Sequence, residues 1–324
     1  MQKSRIWMFG AAFVGLAAFS NAHAQPAWPS KPIRFIVPNT PGGMMDTFAR
    51  SLSQHLQERL GQPAYVENRP GASQAIGMDI AAKASPDGHT LVYGTQSNLV
   101  FLTASRKSLP YDPLGDFAHI GTMFASSFYL VVNASLPVKN VQELLAYAKA
   151  NPGKLSFGSI GVGSAQHLAM ELFRMRTGAD MVHVPYKGAA ASMAGLLSNQ
   201  VEVMFEGPGS VPHMKSGKLR GLGISAQKRS SAMPDLPPVA ESGVPGFEMS
   251  TWLGVSTQAA VPRPVIDRLH REIGGWLALP QMAERLASQN LEPTPSTPEQ
   301  MTERVRNEIP MWTKVMRAAG MEPE

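Results

Sequence analysis

The chain has 324 residues, of which 44% are hydrophobic and 16% are charged. This composition supports a large core and excludes disorder throughout the chain, and the length predicts two domains. The formal net charge of +5 includes no basic block that would bind a phosphate backbone, so we expect no nucleic-acid partner. The absence of cysteine excludes a thiol nucleophile, a disulfide, a Cys-ligated zinc ion and an iron–sulfur cluster.

The N-terminus has the pattern of a secretory signal peptide over residues 1–24. Lys3 and Arg5 precede an uncharged apolar stretch, and Ala22 and Ala24 supply the small residues before a cleavage point. A membrane anchor is the alternative, but the apolar stretch is shorter than the roughly 18 residues that a span needs. We therefore expect a cleaved signal peptide and a location in the periplasm of a bacterium.

The first part of the mature chain alternates strands with helices. Strands are predicted over 31–37, 64–67 and 89–94, and helices over 46–60 and 75–84. This order is typical of a parallel sheet that is covered by helices.

A second unit with the same alternation follows, and the chain ends in helices. Its strands are predicted over 128–133, 155–158, 180–184, 201–205 and 218–225, and its helices over 141–150, 164–176 and 190–197. After an extended stretch at 249–257, helices are predicted over 264–279, 280–289 and 298–319. The fold class is therefore α/β. Because the helical tail has no sheet of its own, we expect it to return to the first unit.

Two glycine-rich loops each follow a strand and open a helix. We name residues 38–46 the first glycine loop and residues 158–164 the second glycine loop. A helix start carries unpaired N–H groups and the positive end of a dipole, so it receives a carboxylate or phosphate well. Each loop alone is explained by helix capping, with Asp46 and Ser164 as candidate caps. Two loops at corresponding places in two similar units favour a ligand held between them.

Recognised motifs for catalysis, nucleotide binding and metal binding are absent from the sequence. There is no G-x-S-x-G, no P-loop and no H-E-x-x-H. His167 either bonds a ligand oxygen or lies on a helix face, and Asp46 either caps its helix or bonds a ligand group. Trp252 either lines a cleft or fills the core. We expect no catalytic residue, no metal and no cofactor.

Many short motifs in a fixed order carry a family resemblance. They lie at residues 28–33, 41–46, 66–72, 86–91, 158–164, 167–173, 184–188, 216–220 and 240–243. With these motifs the chain resembles the extracytoplasmic solute receptors of tripartite tricarboxylate transporters, the Bug or TctC family. The resemblance covers the chain from about Trp28 to the C-terminus.

The resemblance implies a type II periplasmic binding protein fold, in which two α/β domains close on a ligand cleft. Domain 1 would comprise residues 25–126 with 248–324, and domain 2 residues 127–247. The family binds small organic acids and hands them to membrane permease subunits, and we expect a monomer. The implied ligand-binding residues are Gly42, Gly43, Met44, Met45, Asp46, Thr95, Gln96, Ser97, Ser159, Gly161, Gly163, Ser164, His167 and Glu206.

The chain departs from the family where the ligand would lie. Met44 and Met45 stand where the family often has small or hydroxylated residues. Together with Phe205, they favour an apolar or aromatic carboxylate over citrate. Two other functions stay open at this stage: a sensory binding protein that signals carboxylate availability, and a secreted enzyme that uses Asp46 or His167 on a carboxylate.

Overall fold

The structure of the protein is a computed structural model that describes residues 28–230 and 233–323. The predicted signal peptide lies outside the described residues. No helix among the described residues is long and apolar enough to cross a bilayer.

Eleven strands are found in the described part of the chain. They are β1 (Ile33–Val37), β2 (Ala64–Asn68), β3 (Thr90–Thr95), β4 (Phe117–Ser127), β5 (Tyr129–Asn133), β6 (Leu155–Ser159), β7 (Met181–Pro185), β8 (Val203–Glu206), β9 (Leu219–Ile224), β10 (Ser250–Gln258) and β11 (Glu292–Pro293). They form two separate sheets, with the order β11-β4-β10-β3-β1-β2 in the first and β7-β6-β8-β5-β9 in the second.

Ten α-helices connect and cover these strands in the same described residues. They are α1 (Met44–Leu60), α2 (Ala75–Ala82), α3 (Leu102–Ser105), α4 (Val141–Ala150), α5 (Ala165–Thr177), α6 (Ala189–Leu197), α7 (Val211–Lys215), α8 (Arg263–Leu277), α9 (Pro280–Ser288) and α10 (Pro298–Ala318). A π-helical turn at Gln96–Phe101 leads into α3.

The first sheet is mixed: the parallel pairing predicted for its first three strands is confirmed, and antiparallel strands are added beside them. Strand β1 runs parallel to β2 and β3, as the alternation indicates. Strand β10, however, runs antiparallel to both β3 and β4, because it returns from the second sheet in the opposite direction. The tail also adds β11 to this sheet.

The long strand β4 is missing from the sequence-based prediction. Nine of its eleven residues are buried, so it has no alternation of buried and exposed side chains to mark it. Its pairing with β10 also shifts register twice, near Gly254 and Ser256. A strand that is buried on both faces and interrupted by bulges gives only a weak period-two signal.

The chain passes between the two sheets at two neighbouring places. Phe128 joins β4 to β5, and Met249 precedes β10. The buried hydroxyl of Ser225 accepts a hydrogen bond from the Phe128 N–H at 2.8 Å and donates one to the Met249 carbonyl. These crossings support the proposed division of the chain into two domains at residues 126/127 and 247/248.

Helix α10 packs against both halves of the molecule. It contacts β4 in the first sheet and α5, which covers the second sheet. Glu308 in the middle of α10 accepts hydrogen bonds from Trp252 Nε1 and Gln96 Nε2, each at 3.0 Å. Trp252 is 1% exposed, so of its two alternatives the structure supports core filling.

Candidate functional site

Both glycine loops lie where strands end and helices begin. The first follows β1 and opens α1, and the second follows β6 and opens α5. Each strand is parallel to its helix-linked neighbours, so each loop lies at the carboxyl edge of its sheet. That edge is the usual position of ligands in open α/β sheets.

In the first glycine loop, one carboxylate holds the turn. Gly42 has φ +84°, which favours glycine, and its N–H donates to Asp46 Oδ2 at 3.0 Å. Arg50 donates to both carboxylate oxygens of Asp46, each at 3.0 Å. This pairing lowers the pKa of Asp46 against the opposing effect of burial.

The prediction that Asp46 is a candidate N-cap was wrong. Helix α1 begins two residues earlier than the sequence predicts, at Met44, and its N-cap is Gly43. Asp46 is therefore the third residue of the helix, and its side chain reaches back to the loop, as acidic residues at that position do. Being 4% exposed and already bonded, it shapes the loop.

The N-terminus of α1 is open to a ligand. The N-cap residue Gly43 provides no side-chain cap, and no acceptor within the described residues pairs with the N–H groups of Met44 and Met45. A Cβ atom at Gly43 would meet only the Thr40 carbonyl oxygen, at 3.9 Å. Met44 is 43% exposed beside these N–H groups. This position can accept an anion with an apolar group next to it.

In the second glycine loop, hydroxyl and imidazole groups hold the turn. Gly161 has φ +136° and Gly163 has φ +76°, so both favour glycine. Ser164 is the N-cap of α5, as predicted, and its hydroxyl also donates to the Gly161 carbonyl at 2.7 Å. The Gly163 N–H donates to His167 Nδ1 at 3.1 Å. This bond requires His167 to be neutral, with its proton on Nε2.

A stack of rings supports this loop from below. His167 lies 3.9 Å from His183 between ring centroids, and His183 lies 4.8 Å from Phe157. His183 Nε2 is 2.7 Å from the buried Ser159 hydroxyl, which accepts from the Gly161 N–H at 3.2 Å. Burial lowers the pKa of His167 to about 4 and also lowers the pKa of His183. Both imidazoles are therefore neutral at neutral pH.

The segment after β3 is fixed by a capping box. The Thr95 N–H donates to Asn98 Oδ1 at 2.8 Å, and the Asn98 N–H donates to Thr95 Oγ1 at 3.2 Å. Thr95 and Gln96 are buried, whereas Ser97 is exposed. Of these three predicted ligand residues, only Ser97 presents its side chain to solvent.

Glu206 lies at the end of β8 and is 5% exposed. Its Oε1 accepts a hydrogen bond from the Ser192 hydroxyl at 3.3 Å, and no cation pairs with it among the described residues. Burial raises the pKa of Glu206 to about 7. Phe205, by contrast, is fully buried and stacks on Phe247 at 5.3 Å. Phe205 therefore belongs to the core, and its use as evidence for an apolar ligand was wrong.

A groove of about 390 Å³ separates the end of the first sheet from the start of α5. It brings together three predicted site residues, Ser97, Gly163 and Ser164. None of its lining residues comes from the first glycine loop. The groove also includes Ser73 and Gln74, which sequence reasoning missed because the motif at 66–72 ends just before them.

Among the described residues, no group of three His, Cys, Asp or Glu side chains is placed to hold a metal ion. The site provides helix N-termini, hydroxyls and an amide. The two sheets and the two crossings between them are the architecture of the type II periplasmic binding protein fold, which solved structures of periplasmic binding proteins share.

Comparisons with known proteins identify the family. The model of the tripartite tricarboxylate transporter family receptor matches residues 48–321. The protein BugT of Bordetella pertussis is 35% identical over 322 residues, with 99% of each chain covered. The chain belongs to this receptor family.

Two solved structures with ligands are similar to the chain. Rpa4515 of R. palustris, solved with adipate, is 32% identical, with 92% of this chain and 100% of that chain covered at a TM-score of 0.69. MatC of Rhodopseudomonas palustris, solved with malate, is 27% identical, with 89% and 99% covered at a TM-score of 0.65.

Proposed function

We propose that the protein is a periplasmic receptor that binds a small organic carboxylate between its two domains and delivers it to the membrane subunits of a tripartite tricarboxylate-type transporter. The observation that carries this proposal is that a glycine loop of each domain leads into a helix N-terminus at the carboxyl edge of its sheet, uncapped by a side chain in α1 and capped by Ser164 in α5. Structures of two relatives, one solved with adipate and the other with malate, support a carboxylate as the ligand.

The energetics of such a site suit reversible capture. A hydrogen bond to a charged group contributes about 1.5–3 kcal/mol. A carboxylate that receives three or four of them, minus desolvation and ordering costs, reaches the roughly −8 kcal/mol of micromolar binding. Closure of the two domains around the ligand brings both loops to one molecule, as in other hinged binding proteins.

The same geometry argues that the bound acid leaves unchanged. Asp46 is engaged by Arg50 and by the Gly42 N–H, so it is not free to act as a base. His167 uses Nδ1 to hold the Gly163 N–H, and its ring is covered by His183. Both residues that an enzyme would use are therefore committed to loop structure. The family and fold are those of solute-binding proteins.

The test is a thermal-shift screen of residues 25–324 against mono-, di- and tricarboxylates, including aromatic acids. We expect one class to raise the melting temperature in a dose-dependent way, since a ligand that binds only the folded state stabilises it. Protein that has been unfolded, washed and refolded serves as the control for a co-purified ligand. No shift with any acid in refolded protein would overturn the proposal.

Delivery to a transporter needs its own test. Deletion of the gene should abolish uptake of the acid that the screen identifies, and a variant that folds but does not bind should fail to restore uptake. Normal uptake in the deletion strain, with loss of a transcriptional response to the acid, would instead favour the sensory alternative.

A further inference from the structure

We propose that Gln74 determines ligand specificity by donating a hydrogen bond from Nε2 to a second oxygen of the bound acid. The proposal rests on the proposed function and extends it to a residue outside both glycine loops. The chemical class that it predicts is a carboxylate with a second acceptor group, such as a dicarboxylate or a hydroxy acid. A plain alkyl acid would bind less well.

The backbone before α2 is held in an unusual conformation. Ala72, Ser73 and Gln74 have φ values of +45°, +54° and +85°, and none of them is glycine. Such residues are strained, and consecutive ones persist only where the surroundings or a function require them. The result of this conformation is that Ser73 and Gln74 line the groove that faces α5.

A chain of hydrogen bonds fixes the orientation of the Gln74 amide. Asn98 Oδ1 accepts from the Thr95 N–H at 2.8 Å, so Asn98 Nδ2 must be the donor on the other side. Nδ2 donates to the Tyr93 carbonyl at 3.0 Å and to Gln74 Oε1 at 2.9 Å. Thr95 Oγ1 also lies 3.4 Å from Gln74 Oε1.

Gln74 Nε2 is consequently the free end of the amide. No acceptor pairs with it in residues 28–230 and 233–323, and the side chain is only partly buried. Across the groove are Ser164 and the N-terminus of α5, which can hold a carboxylate. The volume of about 390 Å³ is within the range of small-molecule sites. A ligand held by α5 at one end can therefore present a second oxygen to Nε2.

Gln74→Glu is a sharp test because it changes only the end of the side chain that faces the groove. A glutamate keeps an oxygen at the Oε1 position, so the bonds from Asn98 and Thr95 remain, while the donor becomes a charged acceptor. Gln74→Gly is the matched control for backbone strain, since glycine accepts φ +85° but has no side chain. Both variants are checked for folding by thermal melting.

The measurement is calorimetric affinity for adipate and for hexanoate, which differ only in the second carboxylate. In the wild type we expect adipate to bind at least about tenfold more tightly, the equivalent of one hydrogen bond to a charged group. Gln74→Glu should remove or reverse this preference, and Gln74→Gly should remove it.

The possible failures are distinguishable. If wild-type protein binds both acids and either variant keeps the wild-type preference, Gln74 does not contact the second oxygen and this inference is overturned. If wild-type protein binds hexanoate as tightly as adipate, the predicted ligand class is wrong. If refolded wild-type protein binds no carboxylate in the broader screen, the proposed function itself fails, and this inference fails with it.

Discussion

The two glycine loops each lead into a helix N-terminus, but different side chains hold them in place. In the first loop, the support is an ionised carboxylate, Asp46, paired with Arg50, whose side chain is 57% exposed. In the second loop, the support is a buried, neutral imidazole, His167, stacked on His183. Asp46 pairs with Arg50 because it is ionised, whereas His167 accepts from the Gly163 N–H because its imidazole is neutral.

The two clamps also differ in the sequence separation between their residues. Gly42, Asp46 and Arg50 are spaced four residues apart, so a single turn of α1 completes the first clamp. The second clamp needs His183, which is 24 residues beyond Ser159 and reaches the loop through the pairing of β6 with β7. The first loop can therefore form locally, whereas the second depends on the folded sheet.

The largest expected effect comes from comparing Gly163→Val with Gly43→Val. Both should weaken carboxylate binding at least about a hundredfold, because each places a branched side chain at a helix N-terminus that faces the ligand. Only Gly163→Val should also destabilise the fold, by about 2 kcal/mol, because Gly163 has φ +76° whereas Gly43 has φ −76°. Binding is measured by calorimetry and stability by urea unfolding.

The backbone of the first loop does not require glycine at residue 43, because the positive φ belongs to Gly42. If Gly43→Val binds normally while remaining folded, the first loop does not contact the ligand and the comparison between the loops loses its functional meaning.

The neutral support predicts a loss of stability in acid. The pKa of His167 falls from 6.5 in an unfolded chain to about 4 on folding. Between these values the unfolded state binds more protons, so stability decreases as the pH falls. The contribution is complete above about pH 6.5 and is lost as the pH approaches 4, with a limit of about 3 kcal/mol. His167→Gln should flatten this part of the profile in urea titrations.

His183 and His119 also contribute to the dependence of stability on pH. The quantity to compare is therefore the difference in this dependence between wild type and each variant. Burial lowers the pKa of His119, which lies on β4 of the first sheet, to about 4. His119→Gln is therefore the matched control for titration outside the site. Equal acid dependence of carboxylate affinity in wild type and His167→Gln would show that the imidazole does not hold the second loop for binding.

Glu206 should shift stability with pH in the opposite direction. Its pKa rises from 4.5 to about 7 on folding, so the folded state binds more protons in that interval and stability decreases as the pH increases. Glu206→Gln removes the cost of ionising a buried carboxyl and should stabilise the protein by about 1–3 kcal/mol at pH 8. At pH 4 the same substitution should have little effect, and a large effect there would contradict burial as the cause.

How much of this could be predicted depends on the distance between partners in the sequence. The start of α5 was predictable because Ser164 caps it locally, and the prediction of that cap is confirmed. The Asp46–Arg50 pair was equally local, but placing the helix start at Asp46 hid it. Gln74 and the stack of imidazoles were not predictable, because backbone conformation and sheet pairing bring their partners together.

Ser164→Ala tests the cap of the second loop on its own. The substitution removes the oxygen that accepts from the His167 N–H and the hydroxyl that donates to the Gly161 carbonyl. We expect a loss of about 1 kcal/mol in the free energy of unfolding and a weaker affinity for the carboxylate. Ser164→Asp restores the cap and serves as the control, and it should recover stability while repelling the anion.

The smallest effect is expected for Asp46→Asn in the first loop. The amide oxygen can still accept from the Gly42 N–H, but the charge that pairs with Arg50 is lost. Because Arg50 is largely exposed and the pair is screened by water, the cost should be only about 0.5–1 kcal/mol in urea unfolding at pH 7. The difference from wild type should vanish in acid, since the ionised carboxylate is lost there in both proteins. A cost at pH 7 larger than that of His167→Gln would mean that the charged clamp, and not the neutral one, is the stronger of the two supports.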